Sequence, residues 1–192
     1  MSTSVALRED QGEVLEVVQR LWRTKFKSIT LVEKWMAKTT DFEIKAGLKM
    51  QLADERRHLR ILGDEIKRLG GRISGSQADQ LLERPFALIQ AQSSESQKLS
   101  AFYRGLKAYT VDRCSRLLPM VDRTLARTLE QISREEEGHI RWADIRLARI
   151  RDVSERREVE FLVDRMEKAM EAVWTKRRLW LTPHHTTVAG RN

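Results

Sequence analysis

Apolar side chains recur every three or four residues along almost the whole chain, which is the spacing of helices that bury one face. The pattern predicts five helices, with approximate bounds 13–38, 41–69, 85–115, 119–151 and 154–180. Thr40 with Glu43 has the form of a capping box at the start of the second helix, and Gly70 with Gly71 marks its end. We therefore predict an all-α fold.

The connections between these helices predict their arrangement. Only two threonines separate the first helix from the second, so the two should form a tight antiparallel hairpin. Residues 71–85 are the longest irregular stretch and predict a crossover that lets the third helix run parallel to the second. We expect a four-helix bundle with this crossover, a fifth C-terminal helix, and three regions: a flexible N-terminus (1–12), a helical domain (13–181) and a flexible tail (182–192).

Composition limits the classes of partner and compartment. The net charge is +8, from 36 basic and 28 acidic residues, which favours acidic partners in general. The basic residues lie beside acids on polar helix faces, however, and no RNA-binding or Cys/His finger signature accompanies them, so a solvated surface is favoured over a nucleic-acid or anionic-lipid site. The single cysteine, Cys114, is typical of a cytoplasmic protein. No apolar run predicts a signal peptide or a transmembrane segment.

Two motifs repeat the same chemistry on different helices. Glu55 and His58 are three residues apart, as are Glu136 and His139, and residues three apart share one face of a helix. At about 100° per residue, each Glu lies at the centre of its apolar stripe and each His about 60° from it. Two helices thus direct a carboxylate and an imidazole into the core, where both need partners.

Three further polar side chains fall on or beside the apolar stripes. Lys25 lies near the centre of the first-helix stripe, where it either snorkels to the surface or faces a buried carboxylate. Glu95 lies at the centre of the third-helix stripe, either as an additional metal ligand or as a solvent-exposed carboxylate at the end of the crossover. Tyr103 flanks that stripe and is a candidate for lining a substrate pocket.

Two Glu and two His that converge in a helical core are suitable ligands for iron, manganese or zinc. In di-metal carboxylate bundles, two helices give one Glu each and two others give Glu-x-x-His each. On this pattern Glu55 and Glu136 would bridge two metals, and His58 and His139 would each bind one.

Both motifs resemble those of the ferritin-like superfamily. Residues 132–142, Ile-Ser-Arg-Glu-Glu-Glu-Gly-His-Ile-Arg-Trp, are similar to the fourth-helix segment of bacterioferritins, and residues 54–58, Asp-Glu-Arg-Arg-His, to their second-helix motif. The resemblance covers about residues 13–151. It implies a four-helix bundle with a di-iron site that reacts with dioxygen or peroxide, with Glu55, His58, Glu136 and His139 as ligands. It also implies that a homodimer is a common assembly.

The chain departs from this family on two helices. The family pattern needs one Glu from the first helix and one from the third, but the usual intervals lead to Trp22, with Lys25 as its inward neighbour, and to Tyr103. Lysine in place of a metal carboxylate also resembles the metal-free radical subunits of ribonucleotide reductases, where a modified tyrosine does the redox work. Tyr103 and Tyr109 are the candidates for that role.

Three functional hypotheses follow. The first is a non-haem iron oxidoreductase, di-iron or mononuclear with manganese as an alternative, that activates dioxygen or peroxide on a small-molecule substrate. Lys25 would then tune the charge or bond to a bound oxygen species, with Glu95 as an extra ligand. The second is a degenerate, metal-free bundle in which Lys25 pairs with Glu55 or Glu136 and which serves as a binding or scaffold module. The third is an anion- or nucleic-acid-binding protein without site chemistry.

Overall fold

The computed structural model describes residues 2–73 and 80–174, with side chains from residue 12 onward. Within these ranges the chain is helical and contains no strand, which confirms the all-α prediction. The helices are α1 (Ser2–Lys38), α2 (Phe42–Arg68), α3 (Gln80–Gln90), α4, α5 (Arg123–Leu147) and α6 (Val153–Trp174). Helix α4 has three consecutive segments, namely Glu95–Leu99, a π-helical stretch Ser100–Lys107, and Ala108–Leu117.

The predicted helix starts were partly wrong. Helix α1 begins at Ser2, well before Glu13. The N-cap of α2 is Asp41 rather than Thr40, because the Asp41 carboxylate accepts a hydrogen bond from the Ile44 backbone N–H at 2.9 Å. A carboxylate is also the better cap electrostatically, since it faces the positive end of the helix dipole.

The predicted third helix, 85–115, is divided in the structure. Helix α3 ends at Gln90, and α4 begins only at Glu95. The break follows from Ser94, whose hydroxyl accepts from the Gln97 N–H at 3.1 Å while the Gln97 side chain accepts from the Ser94 N–H at 3.4 Å. This is a reciprocal capping box, which starts a new helix.

Two other boundaries also differ from the sequence prediction. Pro119 does not open the next helix but lies in a 3₁₀ turn, Leu118–Met120. Helix α5 begins at Arg123, because the Asp122 carboxylate accepts from the backbone N–H groups of Thr124 and Leu125. Helix α6 agrees with the predicted fifth helix as far as Trp174, and residues 175–192, including the predicted tail, lie outside the described ranges.

The helices share one hydrophobic core, and α1 packs along α2 as the short connection predicts. The π-helical stretch of α4 packs on α5 and α6, while α2 also contacts α5. In the described part of the chain, no helix combines the length and the apolar character needed to cross a membrane.

The contact between α2 and α5 depends on Gly47. A Cβ added at this position would lie 2.2 Å from the Cζ2 atom of Trp142, so only glycine leaves room for the indole of α5 against the backbone of α2. Trp142 in turn packs against Tyr103, with ring centroids 5.6 Å apart. Since α2 and α5 carry the two Glu-His motifs, Gly47 helps to set the distance between them.

We predict that Gly47→Ala lowers the free energy of unfolding by about 1–3 kcal/mol, the usual cost of overpacking a core. Gly138→Ala is the matched control, because a Cβ there meets only the Arg141 side chain, at 3.9 Å. That change should stabilise the protein by up to about 1 kcal/mol through helix propensity. Urea denaturation followed by circular dichroism measures both, and equal effects of the two substitutions would contradict the close contact.

Candidate functional site

Four buried charged side chains meet in the core, each from a different helix. They are Lys25 on α1, Glu55 on α2, Lys107 on α4 and Glu136 on α5. None of the four is more than 3% exposed. Because charges this deep are costly to desolvate, their mutual contacts decide what the site is.

The four side chains form a closed ring of ion pairs. Lys25 Nζ donates to Glu136 Oε1 and lies 3.2 Å from Glu55 Oε2. Lys107 Nζ donates to Glu55 Oε1 and lies 2.6 Å from Glu136 Oε2. Each of the four carboxylate oxygens therefore faces one ammonium group, and the two positive charges balance the two negative charges.

The two histidines are held by acids from the opposite motif. His58 Nε2 donates to Glu135 Oε2 at 2.5 Å, and His139 Nε2 donates to Asp54 Oδ2 at 3.0 Å. The Arg57 guanidinium lies 2.7 Å from both of these acids and ties them together. Each acid immediately precedes the Glu of its own motif, so the two motifs are cross-linked at two points.

The other imidazole nitrogens, Nδ1 of His58 and Nδ1 of His139, face the ring of ion pairs. A carboxylate can only accept, so the Nε2 atom of each histidine carries a hydrogen. His139 Nδ1 lies 3.1 Å from Lys107 Nζ, which gives the three ammonium donors of Lys107 three acceptors. His58 Nδ1 lies 3.3 Å from Glu136 Oε1 and has no hydrogen-bond partner among the described residues.

Electrostatics keep Lys25 and Glu136 ionised. Burial alone would lower the pKa of Lys25, but the charges of Glu136 and Glu55 outweigh it and the pKa is raised. Burial alone would raise the pKa of Glu136, but Lys107 and Lys25 outweigh it and the pKa lies well below its usual range. At neutral pH these groups are therefore an ammonium and a carboxylate.

Tyr103 is buried beside the ring. Its hydroxyl donates to Gln51 Oε1 at 2.5 Å, and its ring centroid lies 5.5 Å from Lys107 Nζ. Burial and the charges of Glu55 and Glu136 raise the pKa of Tyr103 well above its ordinary value. The residue is thus a neutral phenol that contacts the charged centre.

Glu95 has a different partner from the one its position in the stripe suggested. Its carboxylate accepts a hydrogen bond from the indole N–H of Trp35, at the first turn of α4. The acidic and imidazole atoms that lie close enough to hold a metal, within 4.8 Å of one another, belong to Glu55, His58 and Glu136. The structure brings neither Glu95 nor His139 into that group, although His139 contacts the ring through Lys107.

Lys107 is the site residue that the sequence analysis missed. At about 100° per residue it lies 120° from Glu95, far from the centre of the apolar stripe of a regular α-helix. The π-helical stretch that ends at Lys107 takes more residues per turn and rotates its side chain inward. Spacing along the chain is the signal that could have found it. Lys107 precedes Glu136 by nearly the same number of residues as Lys25 precedes Glu55.

The residues present do not fit a di-metal centre. Such a centre needs carboxylate oxygens free to coordinate, but both carboxylates of the ring are bound by ammonium groups. The first-helix and third-helix positions supply lysines, which are donors and not ligands when protonated.

Comparison with family models, with curated proteins and with solved structures gives no match for this chain.

We predict that Lys107→Met lowers the free energy of unfolding by about 3–5 kcal/mol, the usual cost of leaving one partner of a buried ion pair uncompensated. Lys45→Met, at an exposed position of α2, is the control and should have little effect. Guanidinium denaturation measures both. A loss at Lys107 no larger than at Lys45 would show that the ammonium does not neutralise the buried carboxylates.

Acid stability provides a separate test of the cross-link. Partial burial would raise the pKa of Glu135, but hydrogen bonds from His58, Arg57 and Gln131 outweigh it and lower the pKa to about 2. The resulting stability is present above the ordinary carboxyl pKa and is lost as the pH falls toward the folded value. We expect Glu135→Gln to lower the melting temperature at pH 6, with a difference from the parent that narrows toward pH 3. A constant difference across that range would contradict the assignment.

Proposed function

We propose that this chain is a ferritin-like helical bundle with a metal-free, ion-paired centre, which serves as a binding or scaffold module. The observation that carries the proposal is the ring in which the ammonium groups of Lys25 and Lys107 each contact both Glu55 and Glu136. The charge that a metal would neutralise in such a centre is already neutralised by side chains.

The arrangement of the site supports the ferritin-like part of the proposal. Helices α2 and α5 each provide a Glu-x-x-His motif, and helices α1 and α4 each provide one inward side chain. This is the distribution of ligands over helices in di-metal carboxylate bundles. Here the two single positions hold Lys25 and Lys107 in place of acids.

Charge balance supports the metal-free part. Four carboxylates in a di-metal centre carry a charge of about −4, which two divalent ions offset. Exchanging two of those acids for lysines leaves two carboxylates and two ammonium groups, a neutral set that needs no ion. Glu136 remains ionised because of this pairing, as the low pKa of its carboxyl indicates.

A single metal ion is the second candidate, and one observation favours it. The ligand atoms of Glu55, His58 and Glu136 lie within 4.8 Å of one another, and His58 Nδ1 has no hydrogen bond among the described residues. The bond from His58 Nε2 to Glu135 would orient the ring for an ion, as outer carboxylates do for metal-binding histidines. Iron or manganese held there would supply the capacity to activate dioxygen or peroxide. Binding of the ion would require Lys25 to move away from the two carboxylates that it contacts.

Metal analysis combined with a gain-of-ligand variant tests the proposal. We expect the parent protein, purified after growth with iron and manganese, to hold neither ion in stoichiometric amount. Lys25→Glu with Lys107→Glu should restore four carboxylates and two imidazoles. Without metal it should be strongly destabilised by the crowded negative charge, and Fe²⁺ or Mn²⁺ should raise its melting temperature by many degrees.

Lys45→Glu with Lys49→Glu is the matched control, because it makes the same change of net charge at exposed positions of α2. Its melting temperature should not respond to metal. Two ions bound per parent chain would overturn the proposal. One ion, lost on Glu55→Ala and on His58→Ala, would establish the single-metal candidate instead.

A small-molecule partner, a homodimer and a cytoplasmic location remain predictions.

A further inference from the structure

A cavity of about 240 Å³ lies outside the charged centre, where the end of α1 meets the end of α3 and the start of α4. Its apolar walls are the buried side chains of Leu31, Trp35 and Ile89. The volume is several times that of a water molecule but below the roughly 300–1,000 Å³ that drug-sized ligands occupy. The cavity therefore suits a small organic molecule.

Three lysines surround this apolar floor. Lys34 and Lys38 are exposed and Lys98 is half-buried. None of them forms an ion pair with an acid in the described part of the chain, whereas Lys27 pairs with Glu83 at 2.6 Å. Three uncompensated ammonium groups around one cavity produce a positive potential that favours an anion.

The break between α3 and α4 creates this geometry. Lys34 and Lys38 lie one turn apart on an exposed face of α1, beside the face that buries Trp35. Lys98 joins them from the opposite side because the Ser94 capping box starts α4 at this point. A continuous third helix would not leave this gap.

Contacts within the protein hold the Trp35 side chain in place without a ligand. Its indole N–H donates to Glu95, and its ring packs against Phe102 and Tyr103 with centroids 6.4 Å away in both cases. A wall that is already ordered loses little conformational entropy on binding, which favours affinity. Glu95 opposes an anion by its charge, but its carboxylate is directed at the indole and is not among the groups that line the cavity.

From these observations we infer that the cavity binds a small organic anion, with a carboxylate or phosphate head on Lys34, Lys38 and Lys98 and an apolar body against Trp35. This site is independent of the charged centre and of whether that centre holds a metal. It assigns a ligand class to the chain that neither Glu-His motif implies.

Calorimetric titration of the full chain with 2-naphthoate tests the inference, with the isosteric alcohol 2-naphthalenemethanol and inorganic phosphate as comparison probes. We expect 2-naphthoate to bind at least about tenfold more tightly than either, because only it engages both the lysines and the apolar floor. Lys34→Gln with Lys98→Gln should weaken naphthoate binding by about tenfold and leave the alcohol unaffected. Glu95→Gln should strengthen it several-fold, because it removes a negative charge and keeps an acceptor for the indole.

Lys45→Gln with Lys49→Gln is the matched control, since it removes two exposed lysines from α2 and should leave naphthoate affinity unchanged. Thermal melting of each variant verifies that it folds. Equal affinity for 2-naphthoate and the alcohol would overturn the role of the lysines. Equal affinity for 2-naphthoate and phosphate would overturn the role of the apolar floor. Equal weakening by the control and the test pair would show general attraction to a basic surface, and no binding of naphthoate would overturn the site itself.

Discussion

The ring of two ammonium and two carboxylate groups is the constraint on which the rest of the structure depends. Each of its members is buried, and each balances a charge carried by another helix. Removing any one would leave an unpaired charge in a medium that cannot solvate it. Helices α1, α2, α4 and α5 therefore have one relative placement in which every charge is matched, and packing contacts such as Gly47 on Trp142 must agree with it.

The surrounding contacts extend this constraint outward. His58 and His139 link the ring to Glu135 and Asp54, and Arg57 links these two acids to each other. Hydrogen bonds and ion pairs thus connect the buried ring to charged side chains that are partly exposed to solvent. An interior organised in this way is suited to fixing one packing of the helices, because its ion pairs and hydrogen bonds join side chains from four different helices.

The anion cavity and the charged centre differ in the physical state of their lysines. Lys25 and Lys107 form ion pairs with buried carboxylates. Lys34, Lys38 and Lys98 contact no described acid and can bind a ligand. Trp35 lies between the two regions, since it lines the cavity and also packs on Tyr103 beside the ring. Binding chemistry is therefore found at the surface, where desolvation of the ligand is partial and exchange with solvent is possible.

The sequence by itself determined the helical class, the two inward-facing Glu-His motifs, and the placement of Lys25 in the apolar stripe of the first helix. These features follow from residue spacing on a regular helix, which is a local property. Lys107 and the cap at Ser94 depend on departures from that regularity, a π-helical stretch and a break in the predicted third helix. The same break turned Glu95 toward Trp35. Only the tertiary structure decided that the partners of Glu55 and Glu136 are two lysines, because the pairing of buried charges is settled between helices far apart in the chain.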